Sequence, residues 1–90
     1  MCICILDGNV VRDKEMLHDI LADSLGFPDW YGRNLDALYD CLTDIQEATL
    51  IRIQNKTGLD VHLGAYAAAL LKVLAVSAKE NEKVQYVVED

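Results

Sequence analysis

Between Pro28 and Thr43 the chain reads Pro28-Asp29-Trp30-Tyr31-Gly32-Arg33-Asn34-Leu35-Asp36-Ala37-Leu38-Tyr39-Asp40-Cys41-Leu42-Thr43. Pro28 cannot continue a preceding helix, because its ring fixes φ and removes a backbone donor. The aromatic pair Trp30-Tyr31 and Gly32 then form a connection. Asn34 is a favoured N-cap, since its side-chain oxygen can accept from the free amides of a first helical turn. From there Leu35, Leu38, Leu42 and Ile45 recur at i, i+3, i+7 and i+10, one apolar seam on a helix over about Leu35–Ile45. Asp36, Asp40 and Asp44 recur every four residues along a different stripe. A helix with these two stripes packs by one side and shows carboxylates on the other.

Working outward, Cys2-Ile3-Cys4-Ile5-Leu6 is continuously apolar and is expected to be a strand buried on both faces. Asp7-Gly8-Asn9 is a turn. Asp13 can cap a helix running to about Leu25, with Met16, Leu17, Ile20, Leu21 and Leu25 as its buried stripe and Gly26 just past its end. On the other side, Thr49 to Gln54 reads as a second strand. Residues 54–63 are polar and are expected to form a loop with room for one helical turn. Gly64 to Asn81 is the clearest helix, rich in Ala and Leu, and Lys83 to Val88 is a third strand. The order β-α-α-β-α-β places helices between strands, which favours parallel pairing through right-handed crossovers. The expected fold is α/β, a three-stranded parallel sheet packed with three to four helices. Ninety residues leave no room for a second core, so residues 1–90 are expected to be one domain.

Composition narrows the function. Apolar residues make up 52% of the chain, well above the disordered range. No stretch approaches the roughly 18 consecutive apolar residues of a membrane span. The first residues lack a basic leader and a small-residue cleavage site, so a cytoplasmic protein with no membrane contact is expected. Three cysteines, Cys2, Cys4 and Cys41, cannot all pair within the chain and suit a reducing compartment as buried thiols. Neither they nor the isolated His18 and His62 have the spacing of a metal site, so no metal or cofactor is expected. The formal charge of −7 disfavours direct nucleic-acid binding and makes a basic protein the natural complement. The acid is also unevenly spread: from Asp19 to Glu47 there are seven acids and one base, Arg33.

The acidic stripe is locally unfavourable. Asp is a poor helix former, and each like-charge pair four residues apart destabilises a helix by about 0.2–0.5 kcal/mol. Asp36 is favoured by the dipole of the first turn; Asp40 in mid-helix and Asp44 near the C-terminus are not. A solvated polar face is the plain explanation. Against it stand Tyr39 beside Asp40, Thr43 one turn on, and Trp30 and Tyr31 ahead of the helix, because aromatics next to charges are typical of interface hot spots. Trp30 and Tyr31 fit a core role equally well, Tyr31 more so. A catalytic reading of Asp36 and Asp40 as an acid–base pair lacks any neighbouring His, Lys or Ser. Cys41 falls close to the apolar seam with no triad pattern around it. No catalytic residue is assigned.

The sixteen residues from Pro28 to Thr43 resemble the signature of the barstar family, intracellular inhibitors of ribonucleases. The shared pattern is an aromatic pair, Gly, Asn-Leu-Asp-Ala-Leu, an aromatic, then Asp-Cys-Leu-Thr. Element order and length extend the likeness along the chain, most weakly between Asn55 and Gly64. The resemblance implies that Asp40 enters a ribonuclease active site and takes a phosphate-binding position. It implies that Asp36 pairs with the enzyme's basic residues, that Trp30 and Tyr39 are aromatic contacts, and that Thr43 is a polar contact. Asn34 and Leu35 would touch the enzyme from the helix start. Several positions depart from the family. Val76 stands near the place of an acidic contact, with Glu80 nearby as its surviving companion. Asp44 and Ile45 replace Gly and Trp, and Arg33 replaces an acid at the rim. The implied partner is a small basic extracellular ribonuclease, barnase-like or a related toxin, and the departures at the rim point to a different cognate enzyme from barstar's. The chain is expected to be monomeric when free. The alternative is an acidic docking module for a basic protein that is not a nuclease.

Overall fold

The computed structural model describes residues 1–90. Its elements are β1 (Cys2–Asp7), α1 (Lys14–Leu25), α2 (Leu35–Thr43), β2 (Thr49–Gln54), α3 (Lys56–Leu63), α4 (Ala65–Glu80) and β3 (Val84–Val88). The three strands form one sheet in the order β1-β2-β3, parallel throughout, so β2 is central. The register sets Cys4 beside Ile51 and Ile51 beside Tyr86. α1 and α2 connect β1 to β2, and α3 and α4 connect β2 to β3. This is the parallel α/β arrangement expected of strands separated by helices.

Burial in β1 alternates, and this corrects the expectation of a strand covered on both faces. Cys4 and Leu6 are fully buried, whereas Ile3 is 51% and Ile5 47% exposed. In β2 the same alternation buries Thr49, Ile51 and Ile53. The helices therefore cover one face of the sheet only, and an apolar run cannot by itself report how many faces are covered. On the covered face, Leu17 and Leu21 of α1 meet Leu38 and Leu42 of α2, Leu59 of α3, and Ala67, Leu70 and Leu74 of α4, all fully buried. α2 packs on α4, α1 on β1 and α4 on β3. No helix is long and apolar enough to cross a membrane.

Residues 54–63 also depart from expectation, since Lys56–Leu63 is a helix. Leu59 and Leu63, four apart, turn inward and are buried. Lys56 pairs with Asp60 at 2.7 Å, and the Thr57 amide donates to Asp90 Oδ1 at 3.2 Å. The helix start presses against the β1 turn so closely that a Cβ on Gly8 would lie 2.0 Å from the Asn55 carbonyl oxygen. Glycine is required there by space.

α2 ends at Thr43, two residues before the expected Ile45, and Asp44 is its C-cap. Asn81, at the end of α4, donates its side-chain amide to the Leu42 carbonyl at 2.9 Å and the Ile45 carbonyl at 3.0 Å. The Asp44 and Ile45 amides reach back only three residues, to the Cys41 and Leu42 carbonyls. The last turn thus tightens and stops, with its orphan carbonyls satisfied by a neighbour.

Candidate functional site: the acidic face of α2

The start of α2 is fixed from several directions. Asn34 Oδ1 accepts from the Ala37 amide at 2.8 Å, the N-cap expected from the sequence. Arg33 adopts a positive φ of 56°, which a non-glycine residue holds only when its surroundings impose it. Its guanidinium reaches α1, 2.6 Å from Asp19 Oδ1, and donates to the Glu15 carbonyl at 2.9 Å. Arg33 is therefore a strap between the connection and α1, not a free charge at the rim.

Tyr31 is buried and packs against Phe27, ring centroids 4.8 Å apart and the planes tilted by 51°. Its hydroxyl lies 2.6 Å from His18 Nδ1, while His18 Nε2 lies 2.9 Å from the Tyr66 hydroxyl of α4. A neutral imidazole donates from one nitrogen and accepts at the other, so the two tyrosines satisfy both. Lys14 Nζ stands 4.5 Å above the Tyr66 ring. His18 thus joins α1, the connection before α2, and α4 at one buried point. Burial, followed by the nearby Arg33 charge, lowers its pKa below the ordinary 6.5, with Asp19 opposing. Burial likewise raises the Tyr31 and Tyr66 hydroxyls.

On this support, Asp36, Asp40 and Asp44 are all exposed, and none makes an ion pair within the chain. Asp44 belongs to the cap, so the helix proper carries two of the three acids. The Tyr39 hydroxyl donates to the Glu80 carboxylate, a bond that raises the Tyr39 pKa and brings α4 to the face. Thr43 Oγ1 donates to the Tyr39 carbonyl at 2.9 Å or the Asp40 carbonyl at 3.2 Å. Asn34 is exposed and Leu35 half-buried at the other end.

Trp30 is 82% exposed, which rules out the core role that the sequence left open for it. It lines one groove with Cys41, Asp44 and Ile45, and so belongs to the C-terminal side of α2. Of the three thiols expected to be buried, only Cys4 is; Cys2 and Cys41 are half-buried. Burial and then the Asp40 and Asp44 charges push the Cys41 thiol up, so it stays protonated and is a poor nucleophile. No three His, Cys, Asp or Glu side chains converge in a metal-binding arrangement.

The sequence reading missed Asn81, His18 and the strap made by Arg33. Local pattern could not have revealed Asn81 or Arg33, whose partners lie far along the chain. His18 carried a weak signal, since it follows Leu17 on the buried side of α1.

Fold and face together define a class: a small parallel α/β protein that presents unpaired carboxylates on one short, firmly held helix. The family model described as Barstar (barnase inhibitor) matches residues 1–89. A relative named "Putative ribonuclease inhibitor YrdF", from Bacillus subtilis (strain 168), is 44% identical over 77 residues, which are 84% of this chain and 85% of the relative. The chain belongs to the barstar family.

Proposed function

We propose that this chain is the inhibitor, and the immunity partner, of a small basic secreted ribonuclease toxin, and that it acts as one cytoplasmic domain without catalysis of its own. Asp40 occupies the phosphate-binding position of the enzyme's active site. The observation that carries this reading is an exposed, unpaired carboxylate in the middle of a helix held at its start by the Asn34 cap and the Arg33 strap to α1, and at its end by Asn81.

A ribonuclease site gathers several cations to hold a phosphate, so when empty it is a concentrated positive charge. A carboxylate delivered there accepts charge-assisted hydrogen bonds, bidentate ones from arginine. The clamped helix loses little freedom on binding, which preserves the gain from those bonds. Asp36 meets the flanking cations, and Tyr39, Thr43, Asn34 and Leu35 surround the contact and exclude water. Asp44 and Glu80 add to a field that speeds encounter and weakens with salt. The barnase–barstar complex is itself among the measured cases behind these generalisations about charged interfaces. The raised pKa of Cys41 supports the non-catalytic reading.

Capture of the partner from the source cell, followed by a ribonuclease assay of the captured protein, tests this directly. A basic nuclease silenced by the chain is the expected result. A basic partner without nuclease activity contradicts inhibition and favours the docking-module alternative.

A further inference from the structure

A groove of about 410 Å³ opens beside the C-terminal half of α2. Phe27, Trp30, Cys41 and Ile45 give it an apolar lining, and Asp44 and Glu47 place two carboxylates there. No lysine or arginine lines it. Asp44 is free of ion pairs, and Glu47 meets only the N-terminal ammonium, at 4.0 Å with both groups largely exposed. Such a contact is weak and easily exchanged.

These features restrict the occupant. A purely apolar group would strip water from the carboxylates and give nothing back. An anion would be repelled, and a small hydrated cation would leave the indole and the apolar floor unused. A long side chain with a hydrocarbon stem and a planar cationic head satisfies both halves. Guanidinium is weakly hydrated, stacks on aromatic faces and forks onto carboxylates. We propose that this groove receives an arginine side chain of the partner, its stem against Phe27 and Ile45 and its guanidinium held by Trp30, Asp44 and Glu47. The proposal rests on the α2 face being the docking surface and adds a partner feature to it. That feature is an arginine outside the cluster that receives Asp40, which selects among basic nucleases.

Trp30 is the single tryptophan of the chain, so its fluorescence reports on this groove alone. N-acetyl-arginine amide and the uncharged, equally long N-acetyl-citrulline amide would be titrated against the free protein. The arginine compound is expected to bind at least about tenfold more tightly. The double variant Asp44→Asn, Glu47→Gln, both at exposed positions, should bring the two compounds together. Equal responses in the wild type, or a preference that survives the double variant, would overturn the proposal. No nuclease is present in this titration. Failure of the groove and failure of the inhibitor reading are therefore seen in separate experiments.

Discussion

α4 and α2 pack against each other, yet they are stabilised in opposite ways. α4 spans sixteen residues, rich in Ala and Leu, and buries Ala67, Leu70, Leu74 and Ser77 at helical spacing. Propensity, pattern and packing agree along almost all of it, the exception being the buried Ser77 hydroxyl, which has no hydrogen-bond partner. α2 has nine residues, fewer than the roughly 12–15 that an isolated helix needs even to be marginal in water. It carries repelling acids, has no base in its last turn, and ends on a side chain borrowed from the residue after α4. The lesson is that α4 answers to the fold, while the exposed face of α2 carries features the fold does not reward. Local conflicts of this kind concentrate where a protein meets something else.

The largest effect should come where the two helices share the core. Leu38→Ala in α2 and Leu74→Ala in α4 should each lose about 2–5 kcal/mol in urea unfolding, since both side chains are fully buried. A small loss at Leu38 alone would mean that α2 is held by its caps and not by packing. Next, Asp40→Ala should weaken partner binding by at least about 2 kcal/mol, roughly thirtyfold, measured by calorimetry. Its folding stability should hold or rise slightly, because Ala is the better helix former and a repulsion is removed. Asn81→Ala should remove about 1–2 kcal/mol by leaving the Leu42 and Ile45 carbonyls without their donor. Hydrogen exchange should then show α2 fraying while α4 stays protected.

The smallest effect concerns His18, which ties the two regions together through Tyr31 and Tyr66. Its pKa is depressed in the folded state. Above pH 6.5 the folded and unfolded forms are both neutral and its contribution is complete. As pH falls below that value the unfolded chain takes the proton first. Stability then drops by at most about 1.4 kcal/mol per pH unit until the folded-state pKa is reached. His18→Gln should remove this part of the slope in denaturation measured between pH 7 and about 5. A slope unchanged in the variant would assign the pH dependence to carboxylates.

What could be read from sequence follows the range of the interactions. Asp13, Gly26 and Asn34 act within their own turns, and the starts of α1 and α2 fell where those residues put them. β2 and α4 were legible from composition and period. The end of α2 was not, because Asn81 acts from 39 residues away. α3 was hidden by its polar surface, although Leu59 and Leu63 carried the spacing that reveals it. Whether Ile3 and Ile5 are covered depends on how many layers the helices form, which no strand records. The candidate site divides in the same way. The acids and their helix were plain, while the separation of Trp30 from Tyr31 depends on a distant imidazole that draws only the second ring inward.

The most direct measurement is competition at the nuclease active site. Inhibition would be titrated with increasing concentrations of a 3′-mononucleotide, which fills the phosphate position. If Asp40 must enter that position, the apparent affinity of this chain falls in proportion to nucleotide occupancy. Undiminished affinity at saturating nucleotide would contradict the central claim, because both could not hold the same cations.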